Sequence, residues 1–329
     1  MLGDLLFAFN SVAPIIFTVA IGYILKRIGM MSADFSKAAN KLVFRVFLPV
    51  MLFMNVYGIE SLGGYDFGYV LYAAVAVLIL FLIGIPTVML LTPSPERRGA
   101  LIQGVFRSNY ALIGIPLATA LFGGEGAAVA TLLSAVMVPV FNVLAVIGLS
   151  IFGKDGKATL KRVLLGILKN PLILGILAGL AALGIRAIFV SLGWEFRLSS
   201  VGAVWKTMEY LKNLATPLAL LVLGAQFEFS AISHLRREII AGTLIRSVIV
   251  PLLGLGIAYI AFGNRFGGAE FAALVAVFST PVAVSSVPMA QEMGADSGLA
   301  GQLVVWTTVV SAFTIFFFSF LLKAVGILS

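Results

Sequence analysis

There is no cysteine in this 329-residue chain, and His234 is its single histidine. Disulfide staples, thiol chemistry and Cys-ligated metals are thereby excluded, and one imidazole cannot build a histidine-rich metal site. Charge is scarce as well. Only 11% of the residues are charged and 61% are hydrophobic, whereas a soluble domain carries about 25% charged residues. No P-loop, His-Glu-x-x-His, nucleophile-elbow serine or dinucleotide-binding glycine run is present, so the sequence calls for no cofactor and no metal and does not read as an enzyme or an ATP-driven pump.

What is there is apolar and comes in blocks. Ten can be counted, at 5–25, 41–58, 68–91, 98–121, 127–152, 163–185, 203–227, 238–262, 269–291 and 298–322. Each is long enough to cross about 30 Å of hydrocarbon as a helix, which predicts an all-α membrane protein in contact with lipid. The first block has Asp4 where a signal peptide carries basic residues, and Lys26 and Arg27 where it would carry a cleavage site, so it is expected to be a retained helix.

The net charge of +8 sits in short loops rather than on one surface, which argues against nucleic acid as a partner. Twelve basic residues fall on one side: Lys26, Arg27, Lys37, Lys41, Arg97, Arg98, Lys154, Lys157, Lys161, Arg162, Arg236 and Arg237. Five fall on the other: Arg186, Arg197, Lys206, Arg265 and Lys323. The positive-inside rule then makes the richer face cytoplasmic and places both termini on the non-cytoplasmic side of a cell membrane, inner or plasma.

The longest polar stretch, Lys154 to Arg162, divides the spans five and five. Laid over each other without gaps, Val105 to Pro116 meets Val277 to Pro288 with four of twelve pairs identical; Ser108 falls on Thr280 and Asn109 on Pro281. Looser matches pair Leu48-Pro49-Val50 with Thr216-Pro217-Leu218, and Pro14 with Pro171. An odd number of spans per copy inserts the second copy upside down, so the expected organisation is two inverted five-helix repeats, 1–152 and 163–329, joined by a cytoplasmic linker at 153–162.

In the fourth and ninth spans, polar and helix-breaking residues lie where the bilayer midplane should be. They are Arg107, Ser108, Asn109, Gly114 and Pro116 in one, and Ser279, Thr280, Pro281, Ser285, Ser286 and Pro288 in the other. Proline removes a backbone donor and clashes with the carbonyl four residues back, and freed polar groups must find protein or a water-lined cavity, which predicts two discontinuous helices. If each restarts with Pro116 or Pro288 in its first turn, two positive helix ends point at the membrane centre, and Arg107 adds a full charge with a carboxylate-matching fork. Asn109 offers an amide; Thr280, Ser285 and Ser286 offer hydroxyls. The competing readings are a simple packing kink at the prolines and a structural or snorkelling role for Arg107. Arg246, eight residues into its span, is expected to be structural, and Asn142, Asn55 and Gln302 to bond between helices. Lys212 and Glu209 are explained by a span end.

Asn109-Tyr-Ala-Leu-Ile-Gly-Ile-Pro-Leu-Ala-Thr-Ala-Leu-Phe-Gly123 resembles the broken fourth helix of the auxin efflux carrier family, which includes the plant PIN carriers. Leu48-Pro49 and the pattern Pro281, Pro288, Asp296 look like that family's other landmarks. The resemblance implies ten helices in two inverted repeats, with spans 1, 2, 6 and 7 as scaffold and spans 3–5 and 8–10 as a moving domain. In it, spans 4 and 9 cross at Asn109, Pro116, Pro281 and Pro288. It further implies elevator-like transport of a small organic carboxylate, of the auxin, malate or malonate kind. This chain departs from the plant carriers in lacking a long central loop, and in carrying Arg107 where a neutral residue is expected, which favours a smaller, more charged substrate.

The expected substrate-binding set is therefore Arg107, Ser108, Asn109, Gly114, Pro116, Thr280, Pro281, Ser285, Ser286 and Pro288. A sodium-coupled organic-anion symporter resembling the bile-acid transporter group is the alternative; Na+ and H+ are both open as coupling ions, and the scaffold offers apolar faces for a homodimer. A cysteine placed within 153–162 is expected to react with a membrane-impermeant thiol reagent only from the cytoplasmic face, and labelling from outside would overturn the orientation.

Overall fold

The computed structural model describes residues 2–58, 67–153 and 168–328, with their side chains except at 2–12 and 111. Among these every regular element is helical, apart from one isolated antiparallel bridge between Ser108 and Val282. In chain order the longer helices are α1 (Leu2–Arg27), α2 (Ala33–Tyr57), α3 (Phe67–Leu91), α4 (Pro95–Phe106), α5 (Ile115–Ile151), α6 (Pro171–Ser191), α7 (Gly202–Gln226), α8 (Arg236–Phe262), α9 (Gly268–Ser279), α10 (Ser286–Glu292) and α11 (Ser297–Ala324), with single turns at Leu198–Ser200 and Ala231–His234. Six described stretches, α2, α3, 112–151, α6, α8 and α11, are long and apolar enough to cross a membrane. Their outward faces are greasy: Leu90 is 81% exposed, Ile260 85% and Phe313 71%. A soluble monomer does not present so much apolar surface; lipid covers it without cost. Of the expected linker at 153–162 only Gly153 lies within the described residues.

Helix starts follow ordinary capping chemistry. Ser32 accepts from Phe35 N at the head of α2, Asn170 from Leu172 N ahead of Pro171 in α6, and Asp296 from Leu299 N at the head of α11. Each oxygen occupies a donor that the first helical turn leaves unpaired. α6 runs on to Ser191, so Arg186 belongs to the helix rather than to a loop; its Nη1 donates 2.9 Å to Tyr57 O at the end of α2.

Three helical stretches widen into π-turns, at Val43–Phe47, Tyr110–Gly114 and Ile245–Ile249. Each ends two residues before a proline: Pro49, Pro116 and Pro251. A proline ring cannot sit against the carbonyl one turn back, and the extra residue of a π-turn makes room for it. Pro116 is thus relieved within a helix already under way and does not begin one.

Two helices are broken. α9 ends where Thr280 turns extended (φ −72°, ψ 152°), as the residue before Pro281 must. α4 ends where Arg107 does the same (φ −87°, ψ 117°) without any proline. The two extended pieces lie side by side: Asn109 N donates to Pro281 O at 2.8 Å, and Ser108 bridges to Val282. Beyond the first break the chain doubles back at Phe122 and Gly123, whose φ of +60° suits glycine. Gly126 consequently faces Ala118 O, and Tyr110 Oη donates 2.9 Å to Ala130 O. The 37-residue α5 is therefore two arms packed against each other.

Around this centre α1 packs on α7 and α2 on α6, each through glycine. A Cβ on Gly22 would stand 2.1 Å from Leu221 O, and one on Gly224 1.9 Å from Val19 O. On the other pair, a Cβ on Gly175 would stand 2.5 Å from Pro49 O and one on Gly179 2.9 Å from Phe53 O. Backbones approach this closely only without side chains. Gly224→Val should lower the unfolding midpoint in detergent by several degrees, since overpacking costs about 1–3 kcal/mol. Gly184→Ala, with nothing within 4 Å of the added methyl and alanine favoured inside α6, should leave it unchanged or slightly raised. Equal midpoints for both variants would show that the helices separate freely.

Candidate functional site

Where the two breaks meet, freed backbone groups and polar side chains converge. The carbonyls at the ends of α4 and α9 are collected by Arg246 from α8: Nε donates to Thr280 O and Nη2 to Val277 O, both at 2.8 Å, and Nη1 reaches Phe106 O at 3.5 Å. Helix C-termini carry negative partial charge, so a guanidinium there satisfies orphan carbonyls and their field together. The structural part expected of Arg246 is thus played against carbonyls of two other helices, partners that no side-chain pattern announces. Val282 N donates to Thr307 Oγ1 at 3.1 Å, and the Ser108 and Thr280 hydroxyls bond each other.

Arg107 is different. Its guanidinium is 1% exposed, and its partners are all neutral. Nη1 donates to Gln103 Oε1 at 2.7 Å, Ser286 Oγ at 3.4 Å and Met289 Sδ at 2.8 Å. Nη2 donates to Asn142 Oδ1 at 2.8 Å and Ser285 Oγ at 2.7 Å. No acid approaches it among the described residues. Beside it Asn109 is 7% exposed, and its Nδ2 is buried without a hydrogen-bond partner.

Both residues open onto a cavity of about 750 Å³, lined also by Ser108 and Ser285, by Asn142, Thr131 and Ser134 of α5, and by α1, α2 and α7. It extends to Gly58 at the end of α2 and to Lys212 and Asn213 of α7. On the other side of the crossing the chain is closed. There Gln291 Oε1 of α10 accepts from Asn40 Nδ2 and, at 3.3 Å, from Gln226 Nε2, while Glu292 lies 3.5 Å from Arg45. Asn40 precedes Gly58 by 18 residues, about 27 Å of helix.

Of the ten residues expected to bind substrate, Arg107, Ser108, Asn109 and Ser285 line this cavity. Ser286 touches Arg107 from behind; Thr280 and Pro281 hold the crossing. Gly114 packs on the Tyr110 ring, Pro116 is exposed away from the cavity, and Pro288 is buried inside α10. At the restarts, Leu112 N and Ile113 N bond Asn109 O, Ser286 N bonds Ala283 O and Val287 N bonds Val284 O. The side-chain donors at the cavity wall include those of Arg107, Asn109 and Ser285. Asn142, expected to bond between helices, does so by accepting from Arg107 and also lines the cavity, one turn beyond Val138 on that face of α5, whereas the placement of Lys212, expected at a span end, depends on how α7 is turned.

The family model described as membrane transport protein matches residues 7–319. A relative in Methanothermobacter thermautotrophicus, described as an uncharacterized transporter, is 24% identical over 326 residues, covering 92% of this chain and 94% of its own length.

For the crossing itself, Arg246→Leu should leave three buried carbonyls short of a donor and cost about 2 kcal/mol or more, giving aggregated or strongly destabilised protein on size exclusion. A monodisperse variant of unchanged thermal stability would remove Arg246 from that role.

Proposed function

Because the chain belongs to the membrane transport protein family, the auxin efflux carrier-like group of multi-pass membrane proteins, we propose that it is a secondary transporter of small organic anions, carboxylates above all, and not an enzyme. The carrying observation is Arg107. A guanidinium out of water with only neutral partners is costly, and an anion entering the cavity beside it relieves that cost. The unpaired Asn109 Nδ2 supplies a further donor at the same wall. Such a site favours a carboxylate over a neutral or cationic solute.

We read the architecture as ten spans in two inverted repeats, with α4 and α5's first arm as the fourth span and α9 with α10 as the ninth. Contacts between repeat equivalents support this. Ser108 bonds Thr280 and Asn109 bonds Pro281, the pairs that the sequence overlay sets opposite each other, and equivalent residues meet where a two-fold axis passes. Farther out, Gly22 lies eight residues past Pro14 and Gly179 eight past Pro171; Phe53 lies four past Pro49 and Leu221 four past Pro217. The close approaches Gly22–Leu221 and Gly179–Phe53 are thus the same contact in the two copies. With α1, α2, α6 and α7 as scaffold, the cavity faces the non-cytoplasmic side and the Gln291 contacts close the cytoplasmic one. Elevator-like movement of the crossing past the scaffold exchanges the two.

The reading is tested by thermal-shift titration of purified protein with small mono- and dicarboxylates, indole acids and Na+, since a ligand of the native state raises its midpoint. A carboxylate should stabilise the protein, and Arg107→Ala and Asn109→Ala should weaken that binding at least about tenfold while remaining monodisperse. Undiminished binding by both variants sinks the site assignment, and stabilisation by Na+ alone would replace the reading with a sodium-coupled one.

A further inference from the structure

The described lining of the cavity carries two charged residues, Arg107 at its floor and Lys212 on the wall formed by α7, and both are positive. Lys212 sits ten residues into α7 and five residues, about 7.5 Å, on the Gly202 side of Pro217, which lines the same wall. It is half-buried, and among the described residues no acid comes within ion-pair distance of it. The acid nearest in sequence, Glu209 one turn earlier, is engaged by the Trp205 indole Nε1–H at 2.9 Å. Around Lys212 the lining is neutral and polar, with Asn213, Thr216 and, from α2, Asn55.

A lysine inside a spanning helix is costly unless its charge is used or reaches the interface. This one lines the same cavity as Arg107, toward the end to which Gly58 belongs. Glu209, one turn earlier and not in ion-pair contact, balances the Lys212 charge only in part, and a single carboxylate seated at Arg107 and Asn109 adds nothing to that balance. A solute bearing a second negative group toward the mouth neutralises both cations at once.

Resting on the anion-carrier reading, we propose that Lys212 is a specificity residue that reads a second negative charge on the substrate, so that dianions are selected over monoanions of the same length. Arg107 and Asn109 take one end group and Lys212 the other; Lys212 adds selectivity and is dispensable for binding as such.

The experiment compares straight-chain dicarboxylates of three to six carbons with their half-amides, in which one carboxylate becomes a neutral group of similar size. Binding to the purified full chain is measured by calorimetry at pH 7.5. The unsubstituted protein should bind its best diacid about tenfold more tightly than the matching half-amide. Lys212→Gln should erase that ratio by weakening the diacid alone, and Lys212→Arg should keep it. A ratio near one in the unsubstituted protein, a ratio unchanged in Lys212→Gln, or equal losses for both ligands would overturn the proposal. Failure of the unsubstituted protein to bind any acid of the series would overturn the carboxylate reading along with it, which separates the two failures.

Discussion

A helix that breaks inside hydrocarbon strips partners from its own carbonyls and amides, and no water is present to replace them. In this protein two helices break at one place, and each supplies what the other lacks. Pro281 offers its carbonyl to Asn109 N, and the Ser108 and Thr280 hydroxyls bond each other. Arg246 and Thr307 then take up what is left, from α8 and α11. The rest of the centre is arranged by this pairing. It fixes the direction in which Arg107 leaves α4, and it sets α10 off from α9 so that Ser285 and Ser286 meet that guanidinium.

Two buried arginines in one small volume show how surroundings divide a residue type between tasks. Arg246 is spent on carbonyls at helix C-termini, where the backbone itself supplies negative partial charge. Arg107 leans on neutral amides, hydroxyls and a thioether, which orient the fork without cancelling its charge. The first arrangement is a clasp. The second leaves a full positive charge beside a cavity, where electrostatic interactions are stronger than in water because the surroundings are less polarisable.

The seven residues of α10 connect this site to the closed side of the protein. Ser286 and Met289 touch Arg107, while Gln291 and Glu292 reach α2 and α7. The closing contacts are mostly between neutral amides, and the one ion pair involves an Arg45 side chain that is 59% exposed. Such hydrogen bonds contribute about 0.5–1.5 kcal/mol net, and such an exposed pair about 1 kcal/mol or less, so these contacts are individually weak. The glycine seams between α1 and α7 and between α2 and α6 are of another kind, with backbone against backbone along the helices.

The apolar helices, the two broken segments, and the presence of Arg107 and Asn109 at a break were legible in the sequence, because hydrophobic length, proline and buried charge act through local chemistry that holds in any fold. The overlay of Ser108 on Thr280 could be read too, although not that the two hydroxyls would touch. What tertiary structure decided is everything that depends on how one helix is turned against another. It placed Pro116 on the outside, within a helix relieved by a π-turn. It also gave Arg246 its carbonyls and turned Lys212 toward the cavity. A helix presents a different residue every 100°, and only its neighbours determine which one faces the site.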